Sequence, residues 1–148
     1  MSSYRQLFYH IVIRTKNSKP VLNQDHARDL YAYLTGIIRK KNSKLYRING
    51  IEDHIHLLAD IHPSVPVADF MRDIKSNSSL WIKESGKFPG FDGWSDGYAA
   101  LTCSYLDMGV VIDYIRGQQE HHKKFSFESE YRKLLIENGI QIDDKYFP

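Results

Sequence analysis

The 148-residue sequence predicts an α+β sandwich, a four-stranded and mostly antiparallel sheet with two helices on one face and further helices after the last strand. Three observations support this class. Four segments have the alternation or the β-branched and aromatic content of strands. Two long segments between them carry apolar residues at helical spacing. Polar turns with Gly, Pro, Asn or Asp separate these segments, so that the elements follow the order β-α-β-β-α-β.

The first predicted strand, residues 7–15, is rich in β-branched and aromatic side chains. Asn23 is a good N-cap for a first helix over residues 24–41. Residues 45–51 form the second predicted strand. The short turn at Glu52 and Asp53 predicts that this strand pairs antiparallel with the next one.

The third predicted strand, residues 52–61, alternates and has two different rows of side chains. One row is apolar, and the other contains His54 and His56. Two imidazoles about 7 Å apart on one face, given a rise of about 3.3 Å per residue, can share a divalent metal if a third ligand comes from elsewhere. His-x-His also occurs by chance on solvated strands, so the strand alone leaves both interpretations open.

Pro66 suits the first turn of a second helix over residues 67–84. A long glycine- and aromatic-rich loop, residues 86–97, precedes the fourth predicted strand at 98–105. A third helix is predicted over 107–124, and an amphipathic helix over 127–138 ends before Gly139. The order is that of a ferredoxin-like sandwich, in which only the last helices are left to cover the face that carries His54 and His56.

Composition and charge restrict the class of protein and the compartment that we expect. Net charge is +2, and hydrophobic content of 42% is ordinary for a globular chain. We expect one domain over residues 1–148, with a core at about 4–125 and a C-terminal helix and acidic tail at 126–148. No apolar run reaches the about 18 residues of a membrane span, and no signal peptide is expected at the start. The single Cys103 indicates a reducing compartment.

Tyr114 and Gln118 lie four residues apart, on one face of the predicted third helix. Taken alone, the tyrosine would be a packing residue and the glutamine a solvated one. Gly117 costs about 1 kcal/mol relative to Ala in a helix interior, and it indicates a bend or close packing.

Two motifs together resemble the HUH single-tyrosine transposases, which mobilise single-stranded insertion sequences, and their REP-associated relatives. These motifs are residues 53–58 (DHIHLL) and residues 114–122 (YIRGQQEHH). Residues 9–16, 69–75 and 93–98 resemble the family's first strand, its second helix and the approach to its fourth strand.

The resemblance implies that Tyr114 is a nucleophile that cleaves and rejoins single-stranded DNA through a 5′-phosphotyrosine link. It implies that His54, His56 and Gln118 hold a divalent metal, Mg²⁺ or Mn²⁺. It further implies a homodimer with composite active sites, in which the tyrosine acts in trans, DNA with hairpin ends as the substrate, and a bacterial or archaeal cytoplasm as the location.

Four basic residues are the predicted DNA contacts, because Lys and Arg supply phosphate affinity: Lys16, Lys19, Arg72 and Lys75. Three alternatives to a transposase remain at this stage. One is another class of HUH nuclease. Another is an RNA-recognition scaffold, which needs an open sheet face with central aromatic residues. The last is a catalytically inactive relative that only binds DNA hairpins.

Overall fold

The computed structural model describes residues 3–145 and 147. Its strands are β1 (Phe8–Arg14), β2 (Lys44–Ile51), β3 (His54–Asp60) and β4 (Ala99–Cys103). Its helices are α1 (Ala27–Lys40), α2 (Val67–Ser85), α3 (Met108–Arg116), α4 (Gln118–His121) and α5 (Phe127–Glu137). Within the described residues, none of these helices combines the length and apolar character that a membrane crossing requires.

The four strands form one sheet in the order β2-β3-β1-β4, and every neighbouring pair is antiparallel. This is the order of a ferredoxin-like sheet and confirms the predicted fold class. The predicted turn at Glu52 and Asp53 joins β2 directly to β3, with Ile51 opposite His54. The central strand β3 is therefore held on both sides, by β2 and by β1.

The apolar row of β3 packs into the main core, as its alternation predicts. Ile55, Leu57 and Ala59 are at most 1% exposed and join the buried side chains of α1 and α2. Burial of this row fixes the register, because a slip by one residue would turn every apolar side chain of the strand to the other face.

The second face of the sheet is covered by the helices after β4. Phe8 and Leu58 pack against Met108 and Ile115 of α3. Val12 and Ala99 form another buried group with Phe127 of α5. In residues 3–145 the sheet thus has no open face of the kind that an RNA-recognition scaffold needs, which disfavours that alternative.

The prediction of one continuous helix over residues 107–124 is wrong. A 3₁₀ turn at Tyr105–Asp107 leads into α3, which ends at Arg116. Gly117 has φ −87° and ψ 13°, outside helical geometry, and α4 begins after it. The low helix propensity of glycine and the need to turn the chain toward the sheet account for the break.

Gly50 allows the close approach of β2 and β3. A Cβ at this position would lie 2.2 Å from the His54 carbonyl oxygen and 2.8 Å from the Ile55 Cα. We expect Gly50→Ala to lower the free energy of unfolding by about 2 kcal/mol or more, because the backbone of a central strand must shift. Urea denaturation measures the change.

Gly36 in α1 is the matched control, since a Cβ there meets nothing within 4 Å. Gly36→Ala should raise the free energy of unfolding by up to about 1 kcal/mol, through helix propensity. A Gly50→Ala protein as stable as its parent would contradict the close approach of β2 and β3 at this position.

Candidate active site

The predicted site residues of β3 and α4 meet on the second face of the sheet. His54, His56 and Gln118 are fully buried. His54 Nε2 lies 3.1 Å from Gln118 Oε1. His56 Nε2 does not contact this amide directly but lies 3.0 Å from Oε1 of Glu130, which is also 3.2 Å from His54 Nε2. The structure therefore brings the three predicted ligands together around one carboxylate.

The outer nitrogen of each strand histidine is held by a neighbour. His54 Nδ1 lies 2.6 Å from Asp53 Oδ1. His56 Nδ1 lies 2.8 Å from His10 Nε2, so a β1 residue supports a β3 residue across the sheet. Such partners fix the ring orientation and leave each Nε2 directed at the site, as at metal-binding histidines.

The position of Gln118 depends on the helix break. Asn49 of β2 donates to the Ile115 and Arg116 carbonyl oxygens, both at 3.1 Å, where α3 ends. Gln119 Nε2 donates back to Asn49 Oδ1 at 2.7 Å. These bonds add partners to the carbonyls at the end of α3 and tie α4 to the sheet, so Gln118 enters the buried cluster.

Tyr114 lies beside the histidines of its own chain. Its hydroxyl donates to Glu130 Oε2 at 2.5 Å, and its ring meets that of His56 edge to face at 5.6 Å. Burial and the bond to Glu130 raise the pKa of Tyr114 above its ordinary value. The phenol is neutral in this arrangement, and its proton points to a carboxylate.

Sequence analysis missed Glu130, which it placed in an ordinary amphipathic helix. The residue is 4% exposed and lies on the apolar stripe of α5, three residues after Phe127 and four before Leu134. A carboxylate on such a stripe is a signal for a buried polar site, because a buried charge needs partners.

Sequence analysis likewise left His122 without a role. Its Nε2 lies 3.1 Å from both Gln118 Oε1 and Glu130 Oε1. The potential ligand atoms of His54, His122 and Glu130 all lie within 4.8 Å of one another. The cluster thus draws on the segment after α4 as well as on β3.

Burial and the carboxylate act in opposite directions on the site imidazoles. Burial lowers the pKa of His56 to about 4, although Glu130 opposes this shift. For His54, burial also lowers the pKa, but the Asp53 and Glu130 carboxylates outweigh it and the net shift is upward. Burial by itself would raise the pKa of Glu130, but the imidazoles around it outweigh burial and lower it. The carboxylate is therefore ionised and can attract a cation.

The four predicted DNA contacts lie around the loop of residues 86–97. Arg72 and Lys75 line a surface groove of about 540 Å³ together with Trp94. Lys75 donates to the Asp96 carbonyl oxygen at 2.9 Å. Lys16 is exposed, and its backbone nitrogen donates to the Gly93 oxygen of the same loop. Lys19 pairs with Asp92 at 2.9 Å.

The chain combines a four-stranded antiparallel sheet, a buried histidine pair and an adjacent tyrosine. Known proteins are similar to it. The profile of the family described as "Transposase IS200 like" matches residues 3–118. The chain belongs to this family of IS200-like transposases, and membership implies DNA cleavage and transfer. The match ends at Gln118, before His122 and Glu130.

Two kinds of curated relative support the assignment. The transposase for insertion sequence element IS200 of Salmonella typhimurium is 29% identical over 120 residues, which are 78% of each chain. The ISDra2 transposase TnpA of Deinococcus radiodurans is 26% identical over 120 residues, covering 78% of this chain and 86% of that protein.

Two solved structures are also similar. A candidate transposase of Deinococcus radiodurans superposes with a TM-score of 0.62 and 27% identity, over 80% of this chain and 98% of that one. A REP-associated tyrosine transposase bound to a REP hairpin has a TM-score of 0.61 over 82% of this chain and 74% of that one. Its sequence identity is 14%, so that likeness concerns the fold alone.

Proposed function

We propose that this transposase cleaves and rejoins single-stranded DNA through a covalent 5′-phosphotyrosine link at Tyr114. One observation carries the proposal. The Tyr114 hydroxyl and the Nε2 atoms of His54 and His56 all contact the same buried carboxylate, Glu130. A phenol as nucleophile and an imidazole pair for a cation are the two parts that DNA cleavage by this route requires.

The groups of the site account for each bond that forms and breaks in this reaction. Tyr114 Oη attacks the phosphorus, and its proton goes to the Glu130 oxygen that already accepts it. The bond from phosphorus to the 3′ oxygen breaks, and that oxygen takes up a proton from solvent water and leaves as a 3′-OH. In strand transfer, a 3′-OH attacks the phosphotyrosine and restores the phenol. The covalent link conserves the bond energy, so no ATP is needed.

We propose that His54, His56 and Gln118 hold the divalent ion, Mg²⁺ or Mn²⁺. The donor set fits, because the Nδ1 atoms of both histidines are engaged by neighbours while their Nε2 atoms face the cluster. The amide oxygen of Gln118 is a ligand type suited to such ions. When bound, the ion supplies Lewis-acid polarisation of the scissile phosphate.

We propose that Lys16, Lys19, Arg72 and Lys75 contact the phosphates of a DNA hairpin. The groove between α2 and the 86–97 loop supports this, since it combines Arg72 and Lys75 with the Tyr98 ring, which is 38% exposed. Cations bind phosphates, and aromatic rings stack unpaired bases. The REP hairpin in the structure of a relative is a ligand of this kind.

We propose a homodimer with composite active sites, acting in the cytoplasm of a bacterial or archaeal cell. Apolar side chains at the start of the tyrosine helix support an interface, since Tyr105, Leu106 and Val110 are 65%, 88% and 72% exposed. Within the single chain of this structure, Tyr114 contacts its own histidines. Exchange of α3–α5 between two copies would reproduce the same contacts in trans.

The nucleophile is tested on a denaturing gel. Labelled single-stranded oligonucleotides from the DNA that flanks the gene are mixed with the protein, with and without Mg²⁺ or Mn²⁺. We expect a slow-migrating covalent species that needs the metal and falls at least about 100-fold in Tyr114→Phe, because the attacking oxygen is gone.

Tyr4→Phe is the control, since Tyr4 is a fully exposed tyrosine outside the site. It should form the adduct at the parent level. An adduct that persists in Tyr114→Phe would place the nucleophile elsewhere. Hairpin binding with no adduct in the parent protein would favour the binding-only relative.

The DNA interface is tested by salt dependence. Arg72→Ala and Lys75→Ala should each weaken hairpin binding and reduce the slope of log K against log salt by about 1, because one phosphate contact is lost. Fluorescence anisotropy measures both quantities. Lys133→Ala, on the exposed side of α5, is the control and should change neither. Equal slopes for all three variants would remove the groove from the interface.

The composite site is tested by mixing. Light scattering at micromolar concentration should give twice the chain mass. A mixture of Tyr114→Phe and His56→Ala chains should regain adduct formation, because each mixed dimer then has one complete site. A monomeric mass, or a mixture as inactive as its components, would show instead that Tyr114 acts on the histidines of its own chain.

A further inference from the structure

Five potential ligand atoms converge in the site, not three. Glu130 Oε1 lies 3.2, 3.0 and 3.1 Å from the Nε2 atoms of His54, His56 and His122. Gln118 Oε1 lies 3.1 Å from the Nε2 atoms of both His54 and His122. Adjacent ligand atoms of an octahedral ion with bonds of about 2.1 Å are about 3.0 Å apart. These contacts have the spacing of adjacent ligands. The potential ligand atoms of His54, His122 and Glu130 all lie within 4.8 Å of one another, and His56 meets this group through Glu130.

Besides His56, which His10 holds, two further imidazoles of the cluster have a fixed ring orientation. His54 Nδ1 faces the Asp53 carboxylate at 2.6 Å, and His122 Nδ1 faces the Phe125 carbonyl at 2.8 Å. Both partners can only accept, so each Nδ1 carries a hydrogen, and each Nε2 is directed at the side-chain oxygens of Gln118 and Glu130. An imidazole held at Nδ1 in this way presents its Nε2 as a ligand for a cation.

Glu130 also connects this shell to the nucleophile. Its Oε1 faces the imidazoles, while its Oε2 accepts from the Tyr114 hydroxyl at 2.5 Å and from Gln118 Nε2 at 3.0 Å. The side chain is only 2% exposed. A carboxylate held by both oxygens in this way sets the separation between a cation on one side and a phenol on the other.

We infer that Glu130 and His122 complete the divalent-ion site of this transposase, and that Glu130 positions Tyr114 against the ion. Both residues lie beyond the segment that matches the family, residues 3–118. The inference rests on the metal part of the proposed function and adds two ligands to it. It makes the C-terminal segment from His122 to α5 part of the site and not merely a cover for the sheet.

The test measures the affinity of the full chain for Mn²⁺ without DNA. Electron paramagnetic resonance quantifies the free ion. Glu130→Gln keeps the shape of the side chain and removes its charge, and it should weaken Mn²⁺ binding about 10- to 100-fold. His122→Gln should have an effect in the same range. Glu128→Gln, on the exposed first turn of α5, is the matched control and should stay within twofold of the parent.

A second measurement needs no variant at Glu130. Pulsed paramagnetic resonance of Mn²⁺ bound to the parent protein should show three coordinated imidazole nitrogens, and two in His122→Gln. Two nitrogens in the parent, or Glu130→Gln within twofold of the parent affinity, would overturn the inference. So would a parent protein that binds no Mn²⁺ at all.

The outcomes also separate this inference from the proposed function. Mn²⁺ binding that depends on Glu130, in a protein that forms no DNA adduct, would support the site and contradict the cleavage mechanism. The opposite result is a DNA adduct that needs metal and Tyr114, together with an Mn²⁺ affinity that does not change in the Glu130 and His122 variants. It would support the cleavage mechanism and contradict the two added ligands.

Discussion

A carboxylate buried among imidazoles is the interaction on which the second half of this molecule depends. Burying a charge costs several kcal/mol unless partners surround it, and Glu130 is 4% exposed. Its partners come from β3, from α3 and from α4 with the turn that follows it. One side chain of α5 thus joins α3, α4 and the strand that carries the histidines, and its requirement for partners helps to hold α5 on this face of the sheet.

The two faces of the sheet have separate tasks. The face toward α1 and α2 is apolar, and its burial determines the register of β3. Because side chains alternate, the same register sends His54 and His56 to the opposite face. The stability of the main core therefore positions the imidazoles, although none of its side chains belongs to the site.

A break in a helix shapes the rest of the site. At the break at Gly117, Asn49 donates to the Ile115 and Arg116 carbonyl oxygens and holds the start of α4 against β2. Gln118 is buried and Gln119 faces Asn49 as a result. Gly117, with its low helix propensity, and the Asn49 amide on the neighbouring strand together determine that Gln118, and not Gln119, reaches the histidines.

The sequence by itself determined what depends on short-range periodicity. The element order, the two rows of β3 and the association of His54 and His56 with Tyr114 and Gln118 followed from spacing and from a family resemblance. The metal and nucleophile roles of these four residues stay predictions.

Only the tertiary structure decided that α3 and α4 are separate and that His122 and Glu130 join the site. Glu130 lies 74 residues from His56 along the chain, and no local pattern records such a contact. The apolar stripe of α5 contains the carboxylate and is a signal of burial that the sequence analysis did not use. Its partners are decided by three-dimensional packing, because any of several polar groups could have satisfied a buried charge.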